Sequence, residues 1–144
     1  MPVRAFEPWE AALVESARVA RLATIASSGR PHLVPVCFAW YDGNFAIAVD
    51  EKPKRPGALA RVRNIQRDRR VTLLIDHYDE NWSQLAWLRI EGEAAVQDRG
   101  ASRPKILAAL RARYPQYRSM DLESRPLILI APSRIVSWRF AGDA

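Results

Sequence analysis

Three β-prone runs follow one another with only turn-length joints between them, and that spacing decides what kind of sheet can form. "VARLATIA" (Val19–Ala26) is joined by "SSGRP" to "HLVPVCFAWY" (His32–Tyr41), and Asp42-Gly43 leads into "NFAIAVD" (Asn44–Asp50). Asp-Gly between two apolar runs is a strong hairpin signal. Parallel strands need a crossover of about a dozen residues or more, and no such length exists here. A βαβ architecture is excluded, and strands in hairpin order are expected. Pro35 cannot donate to a ladder, so it puts the second run at a sheet edge or at a bulge.

The rest of the chain adds strands and short helices around this start. "EPWEAALVESA" reads as a helix with Pro8 in its first turn, and Trp9, Ala12, Leu13 and Ala17 share one face. Pro53, Pro56 and Gly57 break the chain before a second helical stretch, "ALARVRNIQRD", which turns Leu59, Val62 and Ile65 or Gln66 inward. "RVTLLIDHY" and "LAWLRIEGEAAVQD" are the fourth and fifth strands, and Gly92 inside the fifth marks a bulge or sharp bend. Ser102 and Pro104 open a third helix with Ile106, Leu107, Leu110 and Tyr114 as its buried stripe. The polar loop "PQYRSMDLESR" then leads to a last strand, "PLILIAPSRIVSW", with Pro132 as a possible break. The expected fold is mainly β: six antiparallel strands in a small barrel with short flanking helices, in a single domain over residues 1–144.

Several functional classes lack their residues. No apolar run approaches the roughly 20 residues that cross a bilayer, and "MPVRAFEPWE" has no signal-peptide core. With a single cysteine, Cys37, there is no disulfide framework and no cysteine-based zinc site. A cytoplasmic protein without membrane contact is expected. His32 and His77 lie far apart with no third ligand, so no metal site is expected. No P-loop, GxGxxG or HExxH occurs, and Ser27 and Ser28 have no visible base. No catalytic side chain stands out. Trp82 is unusual, because it sits in the polar loop "DENWSQ" where only a partner or a flat ligand would cover it.

The charge is concentrated. The net charge is +6, and Lys52, Lys54, Arg55, Arg61, Arg63, Arg67, Arg69 and Arg70 fall in one stretch with a single acid, Asp68. Nucleic-acid binding would want aromatics among these charges, and there are none, so no nucleic-acid partner is expected. A phosphate site would want basic groups where a strand ends and a helix begins, and residues 50–64 have that layout. A solvated charged face is the plain alternative.

The order "LATIASSGRPHLVPVCFAW", "FAIAVD", "ARVRNIQRDRRVTLLID", "DENWSQLAWLRIEGEA" resembles the split β-barrel flavin and deazaflavin oxidoreductases, the relatives of pyridoxamine 5′-phosphate oxidase. Within them the chain is similar to the branch of coenzyme F420-dependent enzymes. The resemblance implies an FMN-binding split barrel type of fold and a homodimer with the cofactor in a groove at the interface. By position it implies that Pro35, Val36, Cys37 and Phe38 line the ring system and that Val49 and Asp50 lie beside it. It places Arg61, three residues before Asn64, at the cofactor phosphate, with Lys52, Lys54 and Arg55 in the adjoining loop. Trp82 and Ser83 match a loop that contacts the cofactor, often from across the dimer. The implied activity is hydride transfer between coenzyme F420 and an unsaturated small-molecule substrate. An FMN-dependent enzyme of the pyridoxamine 5′-phosphate oxidase type and a non-enzymatic flavin- or deazaflavin-binding protein are the alternatives.

Overall fold

The computed structural model describes residues 2–50 and 59–141. Helix α1 (Pro8–Ser16) leads into β1 (Ala20–Ile25), β2 (Pro31–Val36), β3 (Ala39–Tyr41) and β4 (Asn44–Ala48). Helix α2 (Ala60–Arg67) precedes β5 (Arg70–His77) and β6 (Ala86–Gln97), and α3 (Arg103–Arg113) precedes β7 (Leu127–Arg139). Short 3-10 turns at Trp82–Gln84 and Pro115–Ser119 lie in the connections. Among the described residues no helix is long and apolar enough to cross a membrane.

The strands form one antiparallel sheet in the order β2-β1-β5-β6-β7-β4-β3. Strands β2 and β3 therefore occupy opposite edges although only Cys37 and Phe38 separate them in sequence. From Val36 to Ala39 the chain reaches at most about 11 Å. The sheet must curl until its two edges nearly meet. This is a split barrel.

The strand count differs from the sequence reading. One strand was expected from His32 to Tyr41, giving six in all; the chain turns at Cys37-Phe38 and gives seven. The reason is a set of side-chain partners that replace the ladder. The Phe38 N–H donates to the Tyr114 hydroxyl (3.1 Å), and its carbonyl accepts from Arg113 Nε (2.9 Å). With both of its backbone groups satisfied, Phe38 can leave the sheet without an orphaned polar group. β2 is an edge strand, the position that Pro35 requires.

The core has two parts, and β4 separates them. Phe45 and Ile47 point into the barrel with Leu22, Phe38, Leu73, Ile75, Leu88, Ile90 and Ile130. Ala46 and Ala48 point the other way, to Ile106, Leu107 and Leu110 of α3 and to Tyr114 and Tyr117. The alternation is the period-2 pattern of a strand buried on both faces. The stripe expected on α3 is buried as a whole, but Tyr117 and Leu122, in what reads as a polar loop, are buried with it.

Helix α1 turns differently from its apolar pattern. Leu13 is buried as expected, but Ala12 is exposed and Glu10 is fully buried. Glu10 accepts the Glu7 N–H (2.8 Å) and a bidentate pair from Arg4 (2.7 and 2.8 Å). A carboxylate so completely bonded can be carried inward.

Gly92 sits at the irregularity that its position in β6 suggests. Glu91 pairs with Arg134 and Gly92 with Pro132, so Ser133 is the extra residue, carried by β7. A Cβ on Gly92 would lie 2.4 Å from the Ala131 carbonyl oxygen, a backbone atom that cannot swing aside. Gly92→Ala is therefore expected to cost about 1–3 kcal/mol of stability. Urea unfolding checks this, and an unchanged midpoint would mean that the strands separate at no cost.

Candidate functional site

Around the β2–β3 corner the fold leaves a cavity of about 260 Å³. Val19, Pro35, Val36, Ile47 and Ala48 make its apolar walls, and Cys37, Asp50 and Arg61 supply polar atoms. Three local features bring these residues together. Val36 pairs with Ala20, which places Val19 beside the corner. The end of β4 is pinned to the start of β7: Ala48 pairs with Leu127, and the Val49 N–H donates to the Pro126 carbonyl (3.2 Å). The Asp50 carbonyl accepts from Arg125 Nη1, which fixes the residue beyond the strand.

Helix α2 brings Arg61. Its register is set by Val62 and Ile65 in the core and by Asn64, whose Nδ2 donates to Thr24 Oγ1 (3.0 Å). Arg67 extends this anchor by donating to the Ile25 carbonyl (2.6 Å) and to Asn64 Oδ1 (3.2 Å). With the helix so held, Arg61 is only 9% exposed, and its Nε has no hydrogen-bond partner among the described residues. A buried donor left unsatisfied costs about 1–3 kcal/mol, more when it is charged. An anion that accepted from Nε would remove that cost.

Asp50 has a different neighbour. Its Oδ2 accepts a short hydrogen bond from the hydroxyl of Tyr117. Burial pushes the Tyr117 phenol well above its ordinary range, and the Asp50 carboxylate and the nearby Cys37 thiol add to this. Tyr117 therefore keeps its proton and serves as a fixed donor.

The residues expected at a cofactor site are thus only partly gathered. Pro35, Val36, Cys37, Asp50 and Arg61 share the cavity. Phe38 is fully buried in the core, its ring 5.9 Å from that of Phe45, and Val49 is buried with it. Asn64 anchors the helix and does not line the cavity. Trp82 and Ser83 lie on the connection between β5 and β6, away from this lining, with Trp82 62% exposed. Lys52, Lys54 and Arg55 fall outside the described residues. Part of the basic stretch has local work: Arg70 pairs with Asp68 (2.8 Å), and Arg67 holds the turn after β1.

The sequence model of the family described as pyridoxamine 5′-phosphate oxidase matches residues 7–139, nearly the whole chain. The chain belongs to that family. The fold is shared with solved structures at low identity. A conserved hypothetical protein of Mycobacterium tuberculosis has 25% identity and a TM-score of 0.78, over 96% of this chain and 87% of that one. HutZ, a heme storage protein of Vibrio cholerae, has 14% identity and a TM-score of 0.70, over 94% and 95%. A heme-binding protein of Mycobacterium smegmatis has 18% identity and a TM-score of 0.73, over 91% of this chain and 52% of that one. No curated protein matches the sequence.

In this member of the pyridoxamine 5′-phosphate oxidase family, sequence reasoning missed two polar contributors to the site. Tyr117 and Arg125 both reach Asp50 from the segment between α3 and β7. The one signal for Tyr117 is an aromatic three residues after Tyr114, continuing the buried stripe beyond the helix end.

Proposed function

We propose that the chain is a coenzyme F420-dependent oxidoreductase that reduces an unsaturated small molecule, with the cofactor phosphate held by Arg61. The observation that carries this reading is Arg61, a buried cation that lines the cavity where a strand ends and a helix begins and whose Nε is unpartnered among the described residues. When bound, a reduced deazaflavin supplies the hydride. The chain's own residues bind and orient: Arg61 meets the anion, the corner residues Pro35, Val36 and Cys37 form an apolar wall, and the core side of the wall excludes water. FMN is the runner-up. The deazaflavin is favoured because Lys52, Lys54 and Arg55, which precede Arg61 in the sequence, are more cations than one phosphate requires and suit its carboxylate-bearing tail. Neither histidine lines the cavity, so heme, named for two of the structural relatives, lacks a histidine ligand there.

The proposal includes a homodimer. A cavity of about 260 Å³ is small beside the roughly 300–1,000 Å³ of ligand clefts, so one chain supplies part of a site. The outer face of the sheet is apolar enough to pair: Leu33 is 65% exposed, and Trp87 stands directly opposite Trp138, itself 42% exposed. In such a dimer Trp82 would be covered by the second copy or its ligand.

Titration of the purified protein with F420 and with FMN, followed by cofactor fluorescence, tests the reading. F420 should bind more tightly, and added salt should weaken it because exposed charges are screened. Tighter binding of FMN would favour the runner-up, and binding of neither would end the oxidoreductase reading.

A further inference from the structure

Asp50 and Arg61 face the same cavity, yet they form no ion pair. The pocket is therefore polarised. At Arg61 it offers a largely buried cation to an anion. Near Asp50 it offers a carboxylate, whose Oδ2 is taken by Tyr117 and whose Oδ1 has no donor among the described residues. A phosphate oxygen placed against that carboxylate would be repelled, since both are anionic acceptors. The group that belongs there is a hydrogen-bond donor close to the phosphate along the ligand.

A phosphorylated polyol has this arrangement. Its phosphate ester is followed within a few bonds by hydroxyl groups, each able to donate to a carboxylate. Flavin and deazaflavin cofactors both carry such a chain between ring and phosphate. The inference thus holds for either cofactor.

We propose that Asp50, braced by Tyr117, is the specificity-determining acceptor for the hydroxyls of the ligand's polyol chain, next to the phosphate at Arg61. Tyr117 is a positioning residue. Its hydroxyl holds Oδ2, so the carboxylate of this cavity-lining residue is fixed in one orientation without a search among rotamers. The backbone of Asp50 is held by Arg125 whatever its side chain, so substitution there leaves the strand end in place. The phenol holds its proton, as its burial and the adjacent carboxylate require. The proposal rests on the cofactor-binding reading and names the part of the ligand that this end of the cavity selects.

The test separates the two ideas. D-ribitol 5-phosphate and n-pentyl phosphate carry the same phosphate on chains with and without hydroxyls. Each is used to displace bound FMN or F420 from the parent, Asp50→Ala and Tyr117→Phe. The parent should prefer the polyol by about 10-fold, the effect of one hydrogen bond to a charged group. Asp50→Ala should bring the ratio near one through weaker polyol binding. Pentyl phosphate should bind that variant as well or better, because a repelling carboxylate is gone. Tyr117→Phe should lower the ratio partway and leave pentyl phosphate unchanged. A parent ratio near one, an Asp50→Ala ratio like the parent's, or equal loss of both probes in Asp50→Ala would overturn the proposal while the cofactor reading stands. Failure of FMN and F420 to bind at all would overturn both.

Discussion

Replacing Arg61 with alanine is expected to weaken cofactor binding at least about 10-fold while leaving the free protein folded. A guanidinium can make two charge-assisted hydrogen bonds to a phosphate, and hydrogen bonds to charged groups contribute about 1.5–3 kcal/mol each. The lower figure alone already exceeds the roughly 1.4 kcal/mol of a tenfold change. Read from the sequence, Arg61 lies at the boundary of the inward face of its helix; in the fold it is buried. Its removal therefore has two opposed effects on the free protein. The aliphatic stem loses packing, and an unpartnered buried donor disappears. The net change should stay within about 1 kcal/mol. Arg67 is a poor control because it holds the Ile25 carbonyl. Arg99, exposed in the turn before α3, removes the same charge without touching the cavity. Equal losses from Arg61→Ala and Arg99→Ala would point to a diffuse field, and no loss from either would leave the cavity without a phosphate role.

The largest loss of stability is expected from Arg4→Ala. Glu10 is fully buried, and Arg4, 43% exposed, is its ionic partner. Breaking a buried pair by removing one member costs about 3–5 kcal/mol. Because water reaches Arg4, about 2–3 kcal/mol is expected here at neutral pH. The effect has a pH signature. The Arg4 pair, followed by bonds from Ser137 and the Glu7 N–H, holds the Glu10 carboxyl at about 2, below its usual value of 4.5. A carboxyl depressed by folding stabilises the protein above its unfolded pKa, and that contribution is lost as pH falls through the folded value. The gap between parent and Arg4→Ala should be full above pH 4.5 and close progressively toward pH 2. Asp68 and Glu123 are also held low, by Arg70 and Arg111, but both proteins keep those pairs and the difference cancels them. Chemical unfolding across this range checks the prediction. A gap independent of pH would assign the loss to packing by the Arg4 stem instead.

What could be read in the sequence was what neighbours in the chain decide. Asp42 and Gly43 both adopt positive φ (49° and 81°), as a two-residue hairpin of their type demands. Gly92 lies at the register shift, and the α3 stripe is buried residue for residue. What escaped depends on distant partners. The β2–β3 corner leaves the sheet because Tyr114, 76 residues from Phe38, satisfies its backbone. Glu10 turns inward because Arg4 follows it, and no apolar period announces a buried charge. The site shows the same division. The strand-to-helix layout pointed to the basic stretch and the family resemblance to Arg61 within it, whereas Asp50 meets Tyr117 across 67 residues through a segment whose composition reads as polar loop. The resemblance placed Phe38 and Val49 on the cofactor side; in the fold both are buried in the barrel core and neither lines the cavity.

The claim on which the functional reading depends is that the Arg61 Nε–H receives the ligand's phosphate. Its own NMR signal reports on this directly, through the 1H–15N correlation of the arginine Nε–H groups, assigned by its disappearance in Arg61→Ala. On addition of F420 or FMN the Arg61 signal should move strongly downfield as it gains an anionic acceptor, while those of Arg67 and Arg99 stay nearly still. A bound cofactor that leaves the Arg61 signal unmoved would contradict the account.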